Sequence, residues 1–157
     1  MALSLRNMTQ AECVSLIEQS RYGHLACCSN DQPYIVPVYF SYDKGILYSF
    51  SMPGQKVDWM RANNKVCLQI DHVSNVGWQS VIVMGKYEEF PDTDLLHSER
   101  LHAWSLLQRH SDWWEMGSLK PEPQAARSHS PHVFYGILIR EMAGRAALSS
   151  DGTAKTV

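Results

Sequence analysis

Gln32-Pro-Tyr-Ile-Val-Pro-Val-Tyr39, Tyr42-Asp-Lys-Gly45 and Ile46-Leu-Tyr-Ser-Phe-Ser-Met-Pro-Gly-Gln-Lys56 follow one another almost without a gap. The first and third are rich in β-branched and aromatic residues, and the second is a turn, so the segment reads as a hairpin. Pro37 cannot donate to a ladder, which puts its strand at an edge, at a bulge or where a neighbour does not need the N–H. The third run breaks at Pro53-Gly54 and restarts as a helix. Just upstream, His24-Leu-Ala-Cys-Cys28 ends in the turn-rich Ser29-Asn-Asp-Gln32. Residues 23–51 therefore predict a three-stranded meander on short hairpins.

Outward from there the pattern continues. Thr9 with Glu12 forms a capping box, and Val14, Leu16 and Ile17 supply the apolar stripe of a first helix. A short helix is predicted over Val57 to Ala62. Val66, Leu68 and Ile70 then alternate with Cys67, Gln69 and Asp71 as a strand does. Trp78 to Phe90 is a long strand, apolar on both faces at Val81-Ile-Val-Met84, which places it centrally. Pro91-Asp-Thr-Asp94 opens another helix, with Leu96, Leu101 or Ala103, Trp104 and Leu107 as its inward side. His132 to Arg140 is the last predicted strand, ended by Glu141-Met-Ala-Gly-Arg145, and the tail from Ser149 to Val157 reads as frayed. The expected fold is mainly β, a six-stranded antiparallel barrel with three flanking helices, in one domain with its core over 9–145.

Composition narrows the function. The 157 residues suit a single core, and 45% hydrophobic against 19% charged is too apolar for a disordered chain. A net charge of −2 leaves no basic footprint for duplex nucleic acid. No window approaches the about 20 apolar residues of a membrane span. The opening residues lack an apolar core and a cleavage site, so no secretory signal is expected. Cys13, Cys27, Cys28 and Cys67 have no metal-ligand spacing and read as small buried hydrophobes with reduced thiols, which suits the cytoplasm.

Three stretches carry chemistry. Ser49-Phe-Ser-Met-Pro-Gly-Gln-Lys56 joins a strand to a helix start, where free N–H groups and the dipole attract an anion. Gly54 permits close approach there and Lys56 adds a full charge. A capped surface helix with a solvated lysine explains the same residues. At the head of the long strand, Trp78 and Ser80 share one face while Gln79 and Val81 share the other. In Tyr34-Ile-Val-Pro-Val-Tyr39, the proline frees backbone groups of neighbouring residues. The histidines at 97, 102, 110, 129 and 132 lack the i,i+4 spacing of a helical metal pair, so no metal is expected. The excursion over 110–131, with Trp113-Trp114, Arg127 and His129 among several prolines, is read as a substrate-selecting loop or as part of a subunit interface.

The order Tyr22-Gly-His-Leu-Ala26, Gln32 to Tyr39, Gly45-Ile-Leu-Tyr48, Gly54-Gln-Lys56, Asn64-Lys-Val-Cys67 and Trp78 to Gly85 resembles the FMN-binding split barrels. These are the pyridoxamine 5′-phosphate oxidase-like proteins, which include the nitroimidazole-resistance flavoproteins. The resemblance runs from about Thr9 to Thr93 and resumes over Val133 to Arg145. It implies that Lys56, with Gln55 and Ser51 beside it, holds the FMN phosphate. It also implies that Val36, Pro37, Val38 and Tyr39 lie along the isoalloxazine edge, that Ser49 and Phe50 line the flavin, and that Gln79 and Ser80 contribute from their strand. Relatives are homodimers with two cofactors at the subunit interface.

The chain departs from its relatives at Gln55 and Gln79, where many carry arginine. It departs again at Phe50, where the nitroimidazole-resistance branch has histidine. It ends without the Arg-Leu-x-Pro of the true oxidases, which argues against vitamin B6 oxidation. The reading is an FMN-dependent oxidoreductase of a small organic substrate, with no catalytic side chain assigned. The alternatives are a non-catalytic flavin- or haem-binding module and a binder of B6 phosphate.

Overall fold

The computed structural model describes residues 3–109 and 131–149. In chain order its elements are β1 (Leu3–Asn7), α1 (Gln10–Gln19), β2 (Tyr22–Ser29), β3 (Gln32–Tyr39), β4 (Ser41–Asp43) and β5 (Ile46–Ser51). They continue with α2 (Gln55–Ala62), β6 (Lys65–Ser74), β7 (Gly77–Glu89), α3 (His97–Leu107) and β8 (Val133–Ser149). Two tight turns organise the first half. Asn30 and Asp31 have φ of 49° and 62°, and Lys44 and Gly45 have 46° and 85°. Two successive left-handed residues make the turn whose twist matches a pair of strands, and these close the β2–β3 and β4–β5 hairpins. On α1, the Thr9 hydroxyl accepts from the Glu12 N–H at 3.3 Å while the Glu12 carboxylate accepts from the Thr9 N–H at 2.7 Å.

The strands form one antiparallel sheet ordered β3-β2-β6-β7-β8-β5-β4, with β1 added alongside β8. The fold class is as expected, but the described strands number eight rather than six. β1 is missed because it ladders only with β8 and leaves Leu5 58% exposed, so it carries no clean burial pattern. β4 was read as turn because only three of its residues pair. The expected meander is corrected too: β3 and β4 do not ladder with each other but sit at opposite ends of the sheet order. The curled sheet is therefore split between β3 and β5.

Alternation fills the barrel from every side. Leu25, Leu68, Ile70, Val81, Val83 and Ile137 are all at most 2% exposed and meet in the interior. A smaller cluster under α3 gathers Tyr48, Phe90, Ala103, Leu106, Leu107 and Phe134. The inward face of α3 is the expected one with Ala103 rather than Leu101: Ala103 and Leu107 are buried and Trp104 packs beside them, Leu101 is 40% exposed, and Arg100 is buried as well. The Arg100 guanidinium lies 4.7 Å from the centre of the Phe134 ring and donates to the carbonyls of Phe90 and His132 at 3.2 and 3.4 Å.

β8 does not end at Glu141 but runs on through Gly144 to Ser149. Gly144 is a crossing point, not a stop: a Cβ there would lie 2.6 Å from the Cys13 sulfur of α1. Gly85 plays the same part on β7, at the one register shift between β7 and β8. A Cβ at Gly85 would lie 2.6 Å from the Leu138 carbonyl oxygen and 2.8 Å from Ile137 Cγ2. Gly85→Ala is expected to lose about 1–3 kcal/mol, because backbone has to move to admit the methyl. Urea unfolding measures it, with exposed Lys86→Ala as control; equal midpoints for Gly85→Ala and wild type would show that β7 and β8 part freely there.

Candidate functional site

The split gives β3 an edge that no strand covers. Along β3, Val38 points into the core at 5% exposure, Val36 packs half-buried against it, and Ile35 and Pro37 face outward. Pro37 stands opposite His24 on an end strand, where its missing N–H breaks no inner ladder. β5 approaches from the other side of the split. The buried Ser49 hydroxyl donates to the Tyr39 carbonyl at 2.7 Å and ties the two strands together without a ladder. Ser49 is thus a latch. Phe50 is half-buried, its ring centre 5.6 Å from that of His132, and the Ser51 hydroxyl donates to the Met52 carbonyl at 2.9 Å.

After β5 the chain turns outward and α2 begins. Val57 and Met60 are fully buried, and the Asn63 side chain donates to the Cys28 carbonyl at 3.1 Å, so the helix is held against β2 at both ends. Its N-cap, Gly54, makes no side-chain hydrogen bond to the first turn. Gly54 has φ 164°, an extended conformation open to any residue, so its use is space: a Cβ there would meet nothing within 4 Å. Pro53, Gly54 and Gln55 are exposed and Lys56 is half-buried. Burial pulls the Lys56 ammonium below the usual lysine range, opposed weakly by the Cys27 thiol. Among the described residues, Lys56 has neither a hydrogen bond nor a carboxylate partner.

One chain brings most of the expected residues together. Val36 to Tyr39 on β3 and Ser49 to Lys56, which leads from β5 into α2, border the split as a lip joined by the Ser49–Tyr39 hydrogen bond. Gln79 and Ser80 do not join it, since β6 and β2 lie between β7 and β3. Ser80 belongs instead to a polar chain across the outer sheet face. Its hydroxyl accepts from the Gln69 amide at 3.2 Å, the Gln69 carbonyl oxygen lies 3.3 Å from His24 Nδ1, and His24 Nε2 lies 3.5 Å from the Tyr22 hydroxyl. His24 and Gln69 were not singled out from sequence. The signal was available, because the alternation that turns Leu25 and Leu68 inward turns these two outward as a directly opposed pair.

Beside this polar chain the outer face carries an apolar strip, bordered by the charged Lys65, Lys86, Arg140 and Glu141. Ile35, Ala26, Cys67 and Met84 stand side by side in register, next to Ile82. Ile35 is 63%, Met84 50% and Ile82 47% exposed. A groove of about 580 Å³ runs past Cys28, Pro33, Cys67 and Met84. Of the histidines, His97 and His102 each pair with one carboxylate, Asp92 at 2.6 Å and Asp43 at 3.0 Å, which ties α3 to the segment before it and to β4. His110, Trp113, Trp114, Arg127 and His129 lie outside the described residues.

Fold and lip together define an antiparallel split barrel with a half-buried lysine at a helix start beside its open seam. The profile of the family described as pyridoxamine 5′-phosphate oxidase matches residues 9–146, and the chain belongs to that family. It is 49% identical over 148 residues to an uncharacterized protein of Rhizobium meliloti, covering 94% of this chain and 98% of the relative. A solved FAD-binding protein from Mesorhizobium loti is similar with a TM-score of 0.75 and 45% identity, over 90% of this chain and 97% of that one. A proposed 5-nitroimidazole antibiotic resistance protein from Bacteroides thetaiotaomicron shares the fold, with a TM-score of 0.74 and 21% identity over 94% of this chain and 90% of that one. No helix among the described residues is long and apolar enough to cross a membrane.

Proposed function

We propose that the protein is a flavin-dependent oxidoreductase of a small organic substrate, working as a homodimer with one flavin at each lip. The observation that carries this reading is the half-buried Lys56 ammonium at the start of α2, which has no partner among the described residues. FMN is what the resemblance implies, and FAD is in the name of the relative with 45% identity. Both present the same isoalloxazine, ribityl chain and first phosphate to the lip. The free edge of β3 offers backbone donors and acceptors to the ring, Phe50 offers an apolar wall, and Lys56 with the first-turn N–H groups takes the phosphate. Ser49 acts by holding β5 to β3. A bound flavin supplies hydride and electron transfer, so the chain needs only to bind, orient and exclude water.

The dimer has its own support. Gln79 and Ser80 lie away from the lip of their own chain, and Ile35, Ile82 and Met84, each about half exposed or more, form an apolar strip on the outer face. A second copy against that face would bring its Ser80, which shares the face, toward the flavin, while Gln79 points to the other side of its strand. Four unpaired thiols fit a reducing cytoplasm.

Release of the bound ligand by heat, followed by absorbance and mass spectrometry, tests the reading. A yellow compound with the mass of a flavin is expected, bleached by NADH or NADPH while still bound. Colourless protein that also takes up no added flavin would overturn it. A flavin that neither nicotinamide reduces would leave a carrier in place of an enzyme.

A further inference from the structure

The flavin reading leaves two occupants that differ in charge at the same phosphorus. FMN ends in a phosphate monoester, whose second ionisation near pH 6 gives it about −1.5 to −2 charges at neutral pH. In FAD that phosphorus is a diester and carries one. We propose that this phosphate site is a one-charge site that selects the dinucleotide, and that Gln55 is the residue that makes it so; the proposal rests on the flavin reading and refines it.

The charge count is short. Among the described residues Lys56 supplies one positive charge, half-buried and without a partner. The first turn of α2 adds a fraction of a charge through its N–H groups. Asp58 stands in that same turn and offsets the fraction. Arg61, one turn further on, is held by both oxygens of Glu89 and by Asp58 at 3.7 Å, so it is not available. The Ser51 hydroxyl donates to the Met52 carbonyl. Gln55, beside Lys56, is neutral. A phosphodiester is neutralised by what remains. A monoester dianion keeps one charge uncompensated where water is partly excluded, and that penalty falls on FMN alone.

Space agrees with charge. Pro53, Gly54 and Gln55 are exposed, and no atom lies within 4 Å of a Cβ position on Gly54. The second phosphate and its nucleoside can leave the lip toward open surface, where their charge stays hydrated.

The test is a titration of the full chain, stripped of retained ligand, with riboflavin, FMN and FAD, read by tryptophan fluorescence. Wild type should bind FAD several-fold more tightly than FMN, and FMN should close the gap below about pH 6, where its phosphate loses the second charge. Gln55→Arg should raise FMN affinity roughly tenfold, the order of one added charge-assisted contact, and FAD affinity much less. FMN binding at least as tightly as FAD in wild type at neutral pH would overturn the proposal while leaving the flavin reading intact. Equal gains for both nucleotides in Gln55→Arg would overturn the role of Gln55. Binding of none of the three would remove the flavin reading, and this proposal with it.

Discussion

Lys56→Ala binds flavin nucleotides about ten- to a hundredfold more weakly than wild type, while riboflavin, which has no phosphate, is barely affected. The expectation follows from the loss of one charge-assisted contact, about 1.5–3 kcal/mol. Fluorescence titration with both ligands measures it, and an unchanged nucleotide affinity would remove the phosphate from this helix start. The pH dependence has a definite sign. Burial lowers the pKa of the unliganded ammonium, so affinity starts to fall at a lower pH than an exposed lysine would give. A lysine whose folded pKa is depressed also destabilises the unliganded fold below that pKa. Lys56→Met should therefore melt no lower than wild type without ligand, and lower than wild type when flavin is present.

Ile82→Glu and Met84→Glu are expected to turn the proposed dimer into a species of about 17.9 kDa and to release the proposed flavin with it. Both side chains point out of the sheet at half exposure, so each single chain should still fold. In a two-fold dimer each substitution acts twice, and burying an unpaired carboxylate costs several kcal/mol, so association should weaken on the order of a thousandfold or more. Sedimentation of wild type and variants, with and without flavin, decides it. A wild-type monomer that holds flavin at micromolar concentration would show that each lip is complete in one chain.

Much of this was legible wherever a local rule and the tertiary structure agree. The Thr9–Glu12 box, the two left-handed turn pairs and the alternation of Val66, Leu68 and Ile70 are each set by a few neighbouring residues. They stand where expected. What failed was pairing between distant segments. Residues 23–51 contain hairpins, but nothing local states that β5 prefers β8 to β3, because the choice rests on residues some ninety positions away. Gly144 reads as a strand end from its own sequence and becomes a contact only once α1 lies across it. Ser49 to Lys56 could be picked out because it is one continuous stretch from strand to helix start. Gln79 and Ser80 were picked out from the head of the long strand and again on resemblance, and a single chain gives them no place beside Lys56. Arg100 was not singled out, because its burial depends on the carbonyls of Phe90 and His132, which only the tertiary structure brings to α3.

β8 has a consequence for how the protein is made. Its 17 residues ladder with β1, β5 and β7, so three strands that leave the ribosome earlier wait for it with open edges. β1 has no other ladder partner among the described residues and waits through almost the whole of synthesis. At about 5–20 residues per second that interval lasts many seconds. Until β8 arrives the nascent chain carries paired hairpins, uncovered strand edges and an exposed apolar face, which are the features that recruit holding chaperones or lead to aggregation. Yield of this protein in a cell is therefore set by what shelters the unfinished sheet before its last strand closes it.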